Sequence, residues 1–437
     1  MLEKLKQHIT NQFPFLEGKK LLIAISGGLD SVVLAQLFHS LNFDISFAHC
    51  NFNLRNLESD KDEAFVKNLG KKFGIETFTT SFNTDEFAVK NKISTQIAAR
   101  ELRYHWFQEL VIQHSFDFVL TAHHADDNLE TFLINLSRGT GLEGFTGIPM
   151  INKNILRPLL IFSRDEIEQF AKENAIEWRE DQSNASTKYV RNKIRHQIIP
   201  ILKEINPTIL NSFQKTIDNL KGSQQIINDT IAQIKKKVIL VDKGGVIKLV
   251  ISELLKLPNH KAYLFELLKP YNFTAWNDVE SLLSAQSGKQ IFSKTHRLLK
   301  DRSFLLLTEL SSKRKVAEIL ITKGTKEILE PIHLTFESAP KTESLDKNTI
   351  FLDSEKLTFP LTLRKWQKGD FFYPIGMQGK KKLSKFFKDE KYSLIDKECT
   401  WLLCSKNQII WIVGKRQDRR FLANRTSLKI LKTHITY

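Results

Sequence analysis

The sequence of 437 residues predicts an α/β protein with three domains, at residues 1–206, 207–337 and 338–437. The first is a parallel sheet covered by helices, because apolar, β-rich runs alternate there with helix-like segments. The second is mainly helical, since residues 208–237 keep helical spacing before a β segment at residues 290–310. The third is a small, basic α/β domain, since short strand-like runs alternate within a lysine-rich segment.

Four strand-like runs build the predicted sheet of the first domain. They are LLIAI at 21–25, DISFAHC at 44–50, ETFTTSF at 76–82 and DFVLTAH at 117–123. Helical spacing follows at 32–41, from Glu58 and from Thr95. Parallel sheets bind ligands at the carboxyl ends of their strands, so we expect a site where the motif SGGLDS, His49 and His123 fall.

The motif SGGLDS directly follows the first strand. Paired glycines before a helix form an ordinary turn or, alternatively, an anion site, in which backbone N–H groups and the helix dipole meet a phosphate. The loop lacks the lysine of a Walker A motif, so we expect it to hold a phosphate tail as a leaving group. A carboxylate beside phosphates needs a cation between them, which makes Asp30 the predicted Mg²⁺ ligand. The predicted phosphate-binding residues are Ser26, Gly27, Gly28, Leu29, Asp30 and Ser31.

A second cluster of polar residues lies in HHADDNLETF, after the fourth strand. If a helix begins near Ala125, Asp127 and Glu130 project from the same face of its first turns. Two acids there could bind an ammonium group or a metal ion, although capping and the helix dipole alone also favour acids in a first turn. The spacing is not that of an HExxH zinc site, and no third ligand is obvious.

Positive charge is concentrated at the C-terminus. The chain has 65 basic and 49 acidic residues, a formal charge of +16. Between Leu361 and Tyr437 there are 18 basic and six acidic residues, a net charge of +12, with aromatic side chains between the lysines. Such interleaving is typical of surfaces that contact phosphates and stack on bases, the alternative being a solvated lysine-rich surface. We expect Lys380, Lys381 and Lys382 to contact an RNA backbone.

Cysteine usage and hydropathy exclude several protein classes. The three cysteines, Cys50, Cys399 and Cys404, form no CxxC pair, which argues against a disulfide framework and a cysteine-ligated metal site. The opening MLEKLKQHITNQF lacks the apolar segment of a signal peptide, and no apolar run is long enough to span a bilayer. We therefore expect a cytoplasmic protein without membrane contact.

The string SGGxDS resembles the loop of the N-type ATP pyrophosphatases, the PP-loop superfamily with an adenine nucleotide alpha hydrolase-like fold. These enzymes cleave ATP between its α and β phosphates. Seven blocks, in order, resemble the motif series of the tRNA(Ile)-lysidine synthetase family, and two C-terminal blocks resemble its terminal domain. The seven are SGGLDS, AHCNFNLR, AARELRYHWF, HHADDNLETF, LSRGTGLEGFTGIP, RPLL with SRDEI, and YVRNKIR; the C-terminal two are GDFFYPIGMQGKKKLSKFFKDEK and IIWIVGKRQDRRF.

The resemblance implies a ligase that uses ATP and Mg²⁺. It would join free L-lysine to C2 of the wobble cytidine in tRNA(Ile) with anticodon CAU, through an adenylated cytidine. The products would be lysidine, AMP and pyrophosphate, and the tRNA would then read AUA as isoleucine. The first domain would supply the PP-loop chemistry, and the middle and C-terminal domains would contact the tRNA.

The same resemblance implies roles for individual side chains. Two carboxylates meet the lysine amine, arginines stabilise charge that develops on the phosphate, and two histidines shape the nucleotide pocket without acting as acid or base. The implied catalytic residues are Asp30, Asp127, Glu130, Arg103 and Arg195, the pocket histidines are His49 and His123, and the substrate-contacting arginines are Arg100 and Arg191.

Two other functions remain as alternatives. A tRNA thiolase of the same superfamily would share the loop and the basic character, but it needs a cysteine pair or an iron–sulfur cluster, and Cys50 is alone in the catalytic half. An RNA-binding protein with an inactive loop would be expected to have lost Asp30 or the acids of DDNLE, and all are intact. The sequence leaves the oligomeric state open, with a homodimer as one option.

Overall fold

A computed structural model describes residues 1–54, 57–180, 190–241, 245–310, 318–342 and 347–436. The chain divides into two compact units, Met1–Asn228 and Asp229–Tyr437. A thirty-residue helix, Ile209–Val238, runs through the point of division. It confirms the long helix predicted at residues 208–237.

The N-terminal unit alternates helices and strands along the chain. Its helices are α1 (Leu2–Gln12), α2 (Leu29–Ser40), α3 (Leu57–Phe73), α4 (Thr84–Asn91), α5 (Thr95–His114), α6 (Ala125–Arg138), α7 (Leu142–Phe145), α8 (Arg164–Glu173), α9 (Val190–Lys193), α10 (Ile199–Ile205) and the start of α11 (Ile209–Val238). Its strands are β1 (Lys20–Ala24), β2 (Asp44–Asn51), β3 (Thr77–Ser81), β4 (Phe118–Leu120), β5 (Ile151–Asn152) and β6 (Ile155–Leu156). One turn of π-helix, Ile194–Ile198, joins α9 to α10.

These strands form one six-stranded sheet in the order β3-β2-β1-β4-β6-β5. β1 pairs in parallel with β2 on one side and with β4 on the other, and β3 and β6 extend the parallel pairing outwards. The edge strand β5 is antiparallel. The predicted parallel sheet is confirmed, and each of the four predicted runs supplies one of its strands.

The central strand is apolar on both faces, as expected for a parallel sheet covered by helices. Leu21 and Ile23 lie in a core with residues of α1, α2 and α8, whereas Leu22 packs on the opposite face with Phe107 of α5. These three strand residues are fully buried, and burial of each contributes about 2 kcal/mol. The alternation of side chains along β1 thus fixes one layer of helices on each face of the sheet.

The strand order reverses at β1. The chain passes from β1 to β2 and β3 towards one edge, and then returns to place β4 on the other side of β1. In open parallel sheets, the crevice outside the carboxyl ends at such a reversal is the usual ligand site. The segments that follow β1 and β4, residues 25–28 and 121–124, therefore lie next to each other.

The C-terminal unit is built mainly of antiparallel strands with short helices. Its strands are β7 (Ile239–Val241), β8 (Ile247–Val250), β9 (Gln290–Phe292), β10 (His296–Asp301), β11 (Phe304–Glu309), β12 (Ile319–Ile321), β13 (Glu327–Ile328), β14 (His333–Ala339), β15 (Thr349–Asp353), β16 (Leu361–Lys365), β17 (Phe371–Phe372), β18 (Lys381–Lys382), β19 (Trp401–Ser405), β20 (Gln408–Ile412), β21 (Arg416–Gln417) and β22 (Ile430–Thr436). Its helices are α12 (Ile251–Leu255), α13 (His260–Leu268), α14 (Trp276–Ser281), α15 (Leu383–Asp389) and α16 (Leu394–Cys399).

Four sheets organise these strands. Their orders are β7-β8-β11-β10-β9, β12-β16-β19-β20-β21, β13-β14-β22-β15 and β17-β18. The first contains the β segment predicted at residues 290–310. It lies within the predicted middle domain, in the same stretch of chain as helices α12, α13 and α14. The second and third share one apolar core, in which Leu334, Leu352 and Trp411 are fully buried.

Strand pairing joins residues on both sides of the predicted boundary between residues 337 and 338. That boundary falls inside β14, whose seven residues all pair with β22 near the C-terminus. Further upstream, β12 pairs with β16. The strands from residue 319 onwards therefore belong with the C-terminal sheets. In the ranges that the structure describes, no helix has the length and apolar character needed to cross a membrane.

Candidate active site

The loop after β1 is a turn closed by its own serines. Gly27 has a φ of +91°, a left-handed conformation that glycine adopts without strain, and a Cβ there would lie 3.4 Å from Phe65. Ser31 Oγ donates a hydrogen bond to the carbonyl of Gly28 at 2.9 Å, and it lies 3.1 Å from both the amide nitrogen and the hydroxyl of Ser26. Side chains of the motif SGGLDS itself therefore hold the turn.

Helix α2 begins directly after this turn, with Gly28 as its N-cap and Leu29 as its first residue. The amides of a first helical turn have no acceptor within the helix, and the helix dipole adds positive potential at the same place. The loop and helix together can therefore receive a phosphate group. The assignment of residues 26–31 to the phosphates of ATP stays a prediction.

Asp30 lies in this first turn and is paired with an arginine far along the chain. Its Oδ2 accepts a hydrogen bond from Arg164 Nη1 at 2.6 Å and lies 3.9 Å from His124 Nε2. Its Oδ1 is buried and has no hydrogen-bond partner among the residues that the structure describes. A buried carboxylate oxygen without a partner is costly unless a cation or donor occupies it, so Asp30 fits the predicted role of a Mg²⁺ ligand.

The predicted pair of acids forms a charged cluster on α6. Asp127 and Glu130 share a helix face, because Arg195 contacts both: Nη2 lies 3.0 Å from Asp127 Oδ1, and Nε lies 2.5 Å from Glu130 Oε1. Arg191 Nε donates to Glu130 Oε2 at 2.8 Å. The Glu130 side chain is fully buried with both oxygens engaged by arginine, whereas 15% of the Asp127 side chain is exposed. Asp127 is thus the more accessible acid of the pair.

The two arginines reach the cluster from the segment that follows the sheet. Arg191 lies on α9, and Arg195 lies on the π-helical turn. Ile194 of that turn packs with Leu129 of α6 in an apolar cluster, which fixes the turn against the helix that carries the acids. A π-helical turn is rare in proteins overall, but many of those that occur lie at functional sites, where they change the direction of a side chain.

Charge pairing, rather than burial, decides the ionisation of this cluster. Burial opposes the charged form of Asp127, but the neighbouring histidines and Arg195 outweigh it and lower the pKa of this carboxyl. Burial likewise opposes the charge of Arg195, and Glu130 and Asp127 raise its pKa above the ordinary value. Asp127 is therefore a carboxylate at neutral pH, better suited to hold a cation than to accept a proton.

Three residues that were not predicted to be functional lie beside these acids. His124, the buried N-cap of α6, lies 3.4 Å through Nε2 from Asp127 Oδ2 and 3.6 Å through Nδ1 from Asp126 Oδ2. Burial alone would lower the pKa of His124, but the surrounding carboxylates raise it. Lys203 Nζ pairs with Asp126 at 2.9 Å. Burial would raise the pKa of Asp126, but His124, the Arg164 amide and Lys203 lower it.

The predicted pocket histidines both lie at carboxyl ends of strands. His49 Nδ1 lies 2.9 Å from the carbonyl of Ile25, and burial lowers the pKa of this histidine. His123 Nδ1 lies 3.0 Å from Thr121 Oγ1, and burial, with nearby arginines, lowers its pKa to about 4. Both imidazoles are neutral at pH 7, which suits residues that shape a pocket. That role stays a prediction.

We expect His123 to make the protein less stable in mild acid. A histidine in the unfolded chain has a pKa of about 6.5, whereas the folded pKa of His123 is about 4, so the unfolded state binds the proton first as the pH falls. The contribution to the free energy of unfolding is constant above about pH 6.5 and should fall by about 3 kcal/mol between that pH and about pH 4. His123→Gln should remove this loss. Urea unfolding of both proteins across that range measures it, and equal pH slopes would contradict it.

Arg100 and Arg103 lie on α5, where each stacks on an aromatic ring. The Arg100 guanidinium lies 4.9 Å from the centre of the Tyr104 ring, and that of Arg103 lies 5.1 Å from the centre of the Phe52 ring. No hydrogen bond or ion pair within the described ranges joins either arginine to the acids of α6. Arg100 is near enough to His123 for its charge to lower the pKa of that histidine. A catalytic role for Arg103 stays a prediction.

The cysteine of the N-terminal unit is not activated. Burial raises the pKa of the Cys50 thiol to about 12, although the charge of Arg103 acts in the opposite direction. The thiolate is the nucleophilic form of cysteine, and it would be scarce at neutral pH. Cys50 is therefore unsuited to the sulfur chemistry that a thiolase needs.

Comparison with known proteins decides the family. Three protein-family models match the chain. The model of a PP-loop domain matches residues 1–202, that of a TilS substrate binding domain matches residues 242–310, and that of a TilS substrate C-terminal domain matches residues 361–431. A tRNA(Ile)-lysidine synthase of Parabacteroides distasonis is 39% identical over 438 residues, which cover 99% of each chain. The chain belongs to the tRNA(Ile)-lysidine synthase family. Its membership confirms the family predicted from the motif blocks and, with it, an ATP-using PP-loop fold.

Another curated relative agrees with this assignment. The tRNA(Ile)-lysidine synthase of Bacteroides thetaiotaomicron is 37% identical, with 98% of each chain covered. Among solved structures, the U34-tRNA thiolase NcsA from Methanococcus maripaludis aligns at 19% identity and a TM-score of 0.42, over 50% of this chain and 78% of that chain.

In this member of the lysidine synthase family, the three predicted tRNA-contacting lysines have different surroundings. Lys380 is exposed, with Nζ 5.1 Å from the centre of the Phe371 ring. Lys382 is exposed at the N-cap of α15. Lys381 pairs with Asp389 at 2.9 Å, and only 19% of its side chain is exposed. Lys380 and Lys382 are therefore open to an RNA backbone, whereas Lys381 also holds α15 in place.

Proposed function

We propose that this protein joins free L-lysine to C2 of the wobble cytidine of tRNA(Ile) with anticodon CAU, at the expense of ATP. The observation that carries the proposal is the meeting of two sites at one edge of the sheet. The anion-binding turn follows β1, and the cluster of acids and arginines follows β4, the parallel neighbour of β1. One site suits the phosphates of ATP, and the other suits an amine that attacks nearby.

The phosphates of ATP would bind the turn at residues 26–31 through its amides and hydroxyls. Asp30 would bind Mg²⁺ through the buried Oδ1 that has no partner among the described residues. Mg²⁺ supplies charge stabilisation on the departing pyrophosphate, and in nucleotide sites it needs only one or two protein carboxylates beside the phosphates. That requirement agrees with a single acid, Asp30, in the first turn of α2.

His49 and His123 would line the nucleotide pocket. If Nδ1 of His49 donates to the carbonyl of Ile25, its Nε2 is an acceptor, and this atom is buried without a hydrogen-bond partner among the described residues. Such an acceptor suits a ribose hydroxyl or an adenine amino group. The low pKa of His123 keeps that side chain neutral as well.

In the first step, the 2-oxo group of cytosine attacks the α-phosphate, and pyrophosphate leaves. The bond that forms joins the cytosine oxygen to phosphorus, and the bond that breaks is the one between phosphorus and the bridging oxygen. Negative charge moves onto the departing phosphates, where the α2 amides and Arg195 can stabilise it. In the second step, the neutral lysine amine attacks C2, and the bond between C2 and the adenylated oxygen breaks. AMP departs with that oxygen, and the nitrogen releases its proton to solvent.

The two acids of α6 would divide the work on lysine. Asp127 accepts from Arg195 through Oδ1 and from the His124 amide through Oδ2, but its side chain is partly exposed and its pKa is low, so it can also pair with the incoming ammonium group. Glu130 already engages Arg191 and Arg195 through both of its oxygens, so it would act on lysine by positioning these arginines. This proposal refines the sequence-based expectation that both acids meet the amine directly.

A reaction with ATP, Mg²⁺, labelled lysine and bulk tRNA tests the proposed function. We expect label to enter the tRNA only when ATP is present, with pyrophosphate and AMP released in equal amounts. Nuclease digestion should place the label on one cytidine-derived nucleoside. Binding of tRNA without ATP consumption would instead identify an RNA-binding protein with an inactive loop.

The C-terminal lysines offer a test of tRNA binding in the intact chain. Lys380→Ala and Lys382→Ala should each weaken binding and reduce the slope of log affinity against log salt by about 0.7 to 0.9, because each would remove one phosphate contact. Lys381→Ala should change the slope less, since its charge is already paired with Asp389. Binding isotherms across a salt series measure both quantities. Equal slopes for all four proteins would mean that this surface does not contact RNA.

A further inference from the structure

One arginine of the candidate site has no role in the chemistry proposed above. Arg164 Nη1 donates to Asp30 Oδ2 at 2.6 Å, across 134 residues of sequence. Their side chains are 40% and 26% exposed, so the ion pair is in contact with solvent rather than buried in the core. It occupies the one carboxylate that the proposed function assigns to Mg²⁺.

The backbone of Arg164 is firmly placed. It is the first residue of α8, after a capping box in which Ser163 Oγ accepts from the amide of Glu166 at 3.1 Å and Glu166 Oε2 accepts from the amide of Ser163 at 2.7 Å. The amide of Arg164 donates to Asp126 Oδ2 at 2.8 Å. Asp126 is in turn paired with Lys203. The start of α8 is therefore tied to the start of α6, independently of the Arg164 side chain.

The side chain of Arg164, by contrast, makes one hydrogen bond within the part of the chain that the structure describes. Its guanidinium donates to Asp30 and keeps much of its surface in solvent. Ion pairs with this exposure contribute little to stability. A long side chain on a fixed backbone can therefore leave Asp30 at little cost when another anion competes for it.

Electrostatics explains why the Arg164 side chain would leave Asp30. A carboxylate that receives Mg²⁺ no longer attracts a guanidinium, because the two cations repel each other at such short range. Nucleotide phosphates bound at residues 26–31 would lie beside Asp30 and would offer Arg164 a stronger partner. Guanidinium groups bind phosphate oxygens through two parallel hydrogen bonds, a geometry that lysine cannot reproduce.

We propose that Arg164 is a phosphate-binding residue, which neutralises Asp30 before ATP binds and moves onto the β- and γ-phosphates of ATP when the metal–nucleotide complex binds. This inference rests on the proposed use of ATP at the turn after β1. Arg164 would then hold the pyrophosphate as it forms and stabilise the charge that it gains. Before ATP binds, the same residue competes with divalent cations for Asp30.

Two binding measurements on the full chain test the exchange, neither of which depends on turnover. The first titrates Mn²⁺ alone and follows free Mn²⁺ by electron paramagnetic resonance. Arg164→Ala should bind Mn²⁺ severalfold more tightly than the wild type, because the competing cation is gone. The second measures ATP affinity by equilibrium dialysis in Mg²⁺. Arg164→Ala should bind ATP about tenfold more weakly or worse, the usual effect of losing a hydrogen bond to a charged group.

Two further variants keep the test decisive. Arg164→Lys should leave Mn²⁺ affinity near the wild-type value and weaken ATP binding severalfold, and it carries the test if Arg164→Ala does not fold. Lys4→Ala is the matched control, because it removes the exposed ion pair between Lys4 of α1 and Glu166 of α8 without touching Asp30, and it should bind Mn²⁺ and ATP like the wild type.

The outcomes separate this inference from the proposed function. If Arg164→Ala binds Mn²⁺ and ATP like the wild type, or binds both more weakly, the exchange is wrong and the ion pair is only structural. If the wild type itself binds no ATP in Mg²⁺, the proposed function fails with it. Wild-type binding of ATP together with unchanged binding by Arg164→Ala overturns the inference alone.

Discussion

Asp30→Ala should lower ATP-dependent pyrophosphate release by about a thousandfold or more, which corresponds to about 4 kcal/mol of lost charge stabilisation in the transition state. The variant loses the proposed metal-binding oxygen and leaves Arg164 without its partner. Pyrophosphate release with saturating tRNA, measured before lysine is added, reports the first step by itself.

Folding and tRNA binding should survive this substitution. The Arg164 side chain is 40% exposed, so loss of its ion pair should change the free energy of unfolding by less than about 1 kcal/mol. Asp44→Ala provides the control, since Asp44 is an exposed acid at the opposite end of the sheet, where β2 begins. Normal pyrophosphate release by Asp30→Ala would remove Asp30 from the metal site, whereas a matching loss in Asp44→Ala would point to a general effect of removing an acid.

The parts of the fold that were predictable from sequence depend on local patterns. The four apolar runs and the spacing between them were sufficient to predict the parallel sheet, because βαβ units have short-range signatures. The turn at residues 26–31 was equally readable, since glycines, hydroxyls and a carboxylate are contiguous there. The shared face of Asp127 and Glu130 follows from helix geometry alone.

Contacts between distant segments were not predictable in the same way. Arg164 lies within the block SRDEI, but nothing in that block indicates a carboxylate 134 residues earlier. The same holds for Lys203, which meets Asp126 from α10. His124 had a local signal, because a helix start at Ala125 makes the preceding residue the N-cap. Its importance depends on the three carboxylates around it, and two of these are neighbours in sequence.

Contacts between distant segments were equally unpredictable in the C-terminal region. Its charge and its short strands were visible in the sequence, but the pairing of β14 with β22 joins segments nearly one hundred residues apart. A boundary drawn from composition alone consequently fell within a strand. Lys381 differs from its neighbours for a similar reason, since its partner Asp389 lies one helix further along the chain.

Glu130→Gln should lower both the stability of the protein and the rates of both reaction steps, whereas Asp127→Asn should mainly weaken the reaction with lysine. Glu130 is fully buried and receives hydrogen bonds from two arginines, so removing its charge should lower the free energy of unfolding by about 3 kcal/mol. Arg195 would also lose the contact that orients it. Asp127 is partly exposed and leaves Arg195 its bonds to Glu130, so its loss should cost about 1 kcal/mol.

The kinetic consequences of the two amide substitutions should differ as well. Asp127→Asn should raise the KM for lysine at least tenfold while adenylation of the tRNA proceeds, because the proposed ammonium contact acts only in the second step. Glu130→Gln should slow both steps, since Arg191 and Arg195 would lose hydrogen bonds that hold them beside the proposed phosphate site. Glu168→Gln, in an exposed ion pair with Lys172 on α8, serves as the neutral control.

Single-turnover measurements of pyrophosphate release and lysine incorporation separate the steps. An unchanged KM for lysine in Asp127→Asn would assign the ammonium group to a different acid. A Glu130→Gln variant with unchanged stability and normal adenylation would mean that the two arginines do not need Glu130 to hold them.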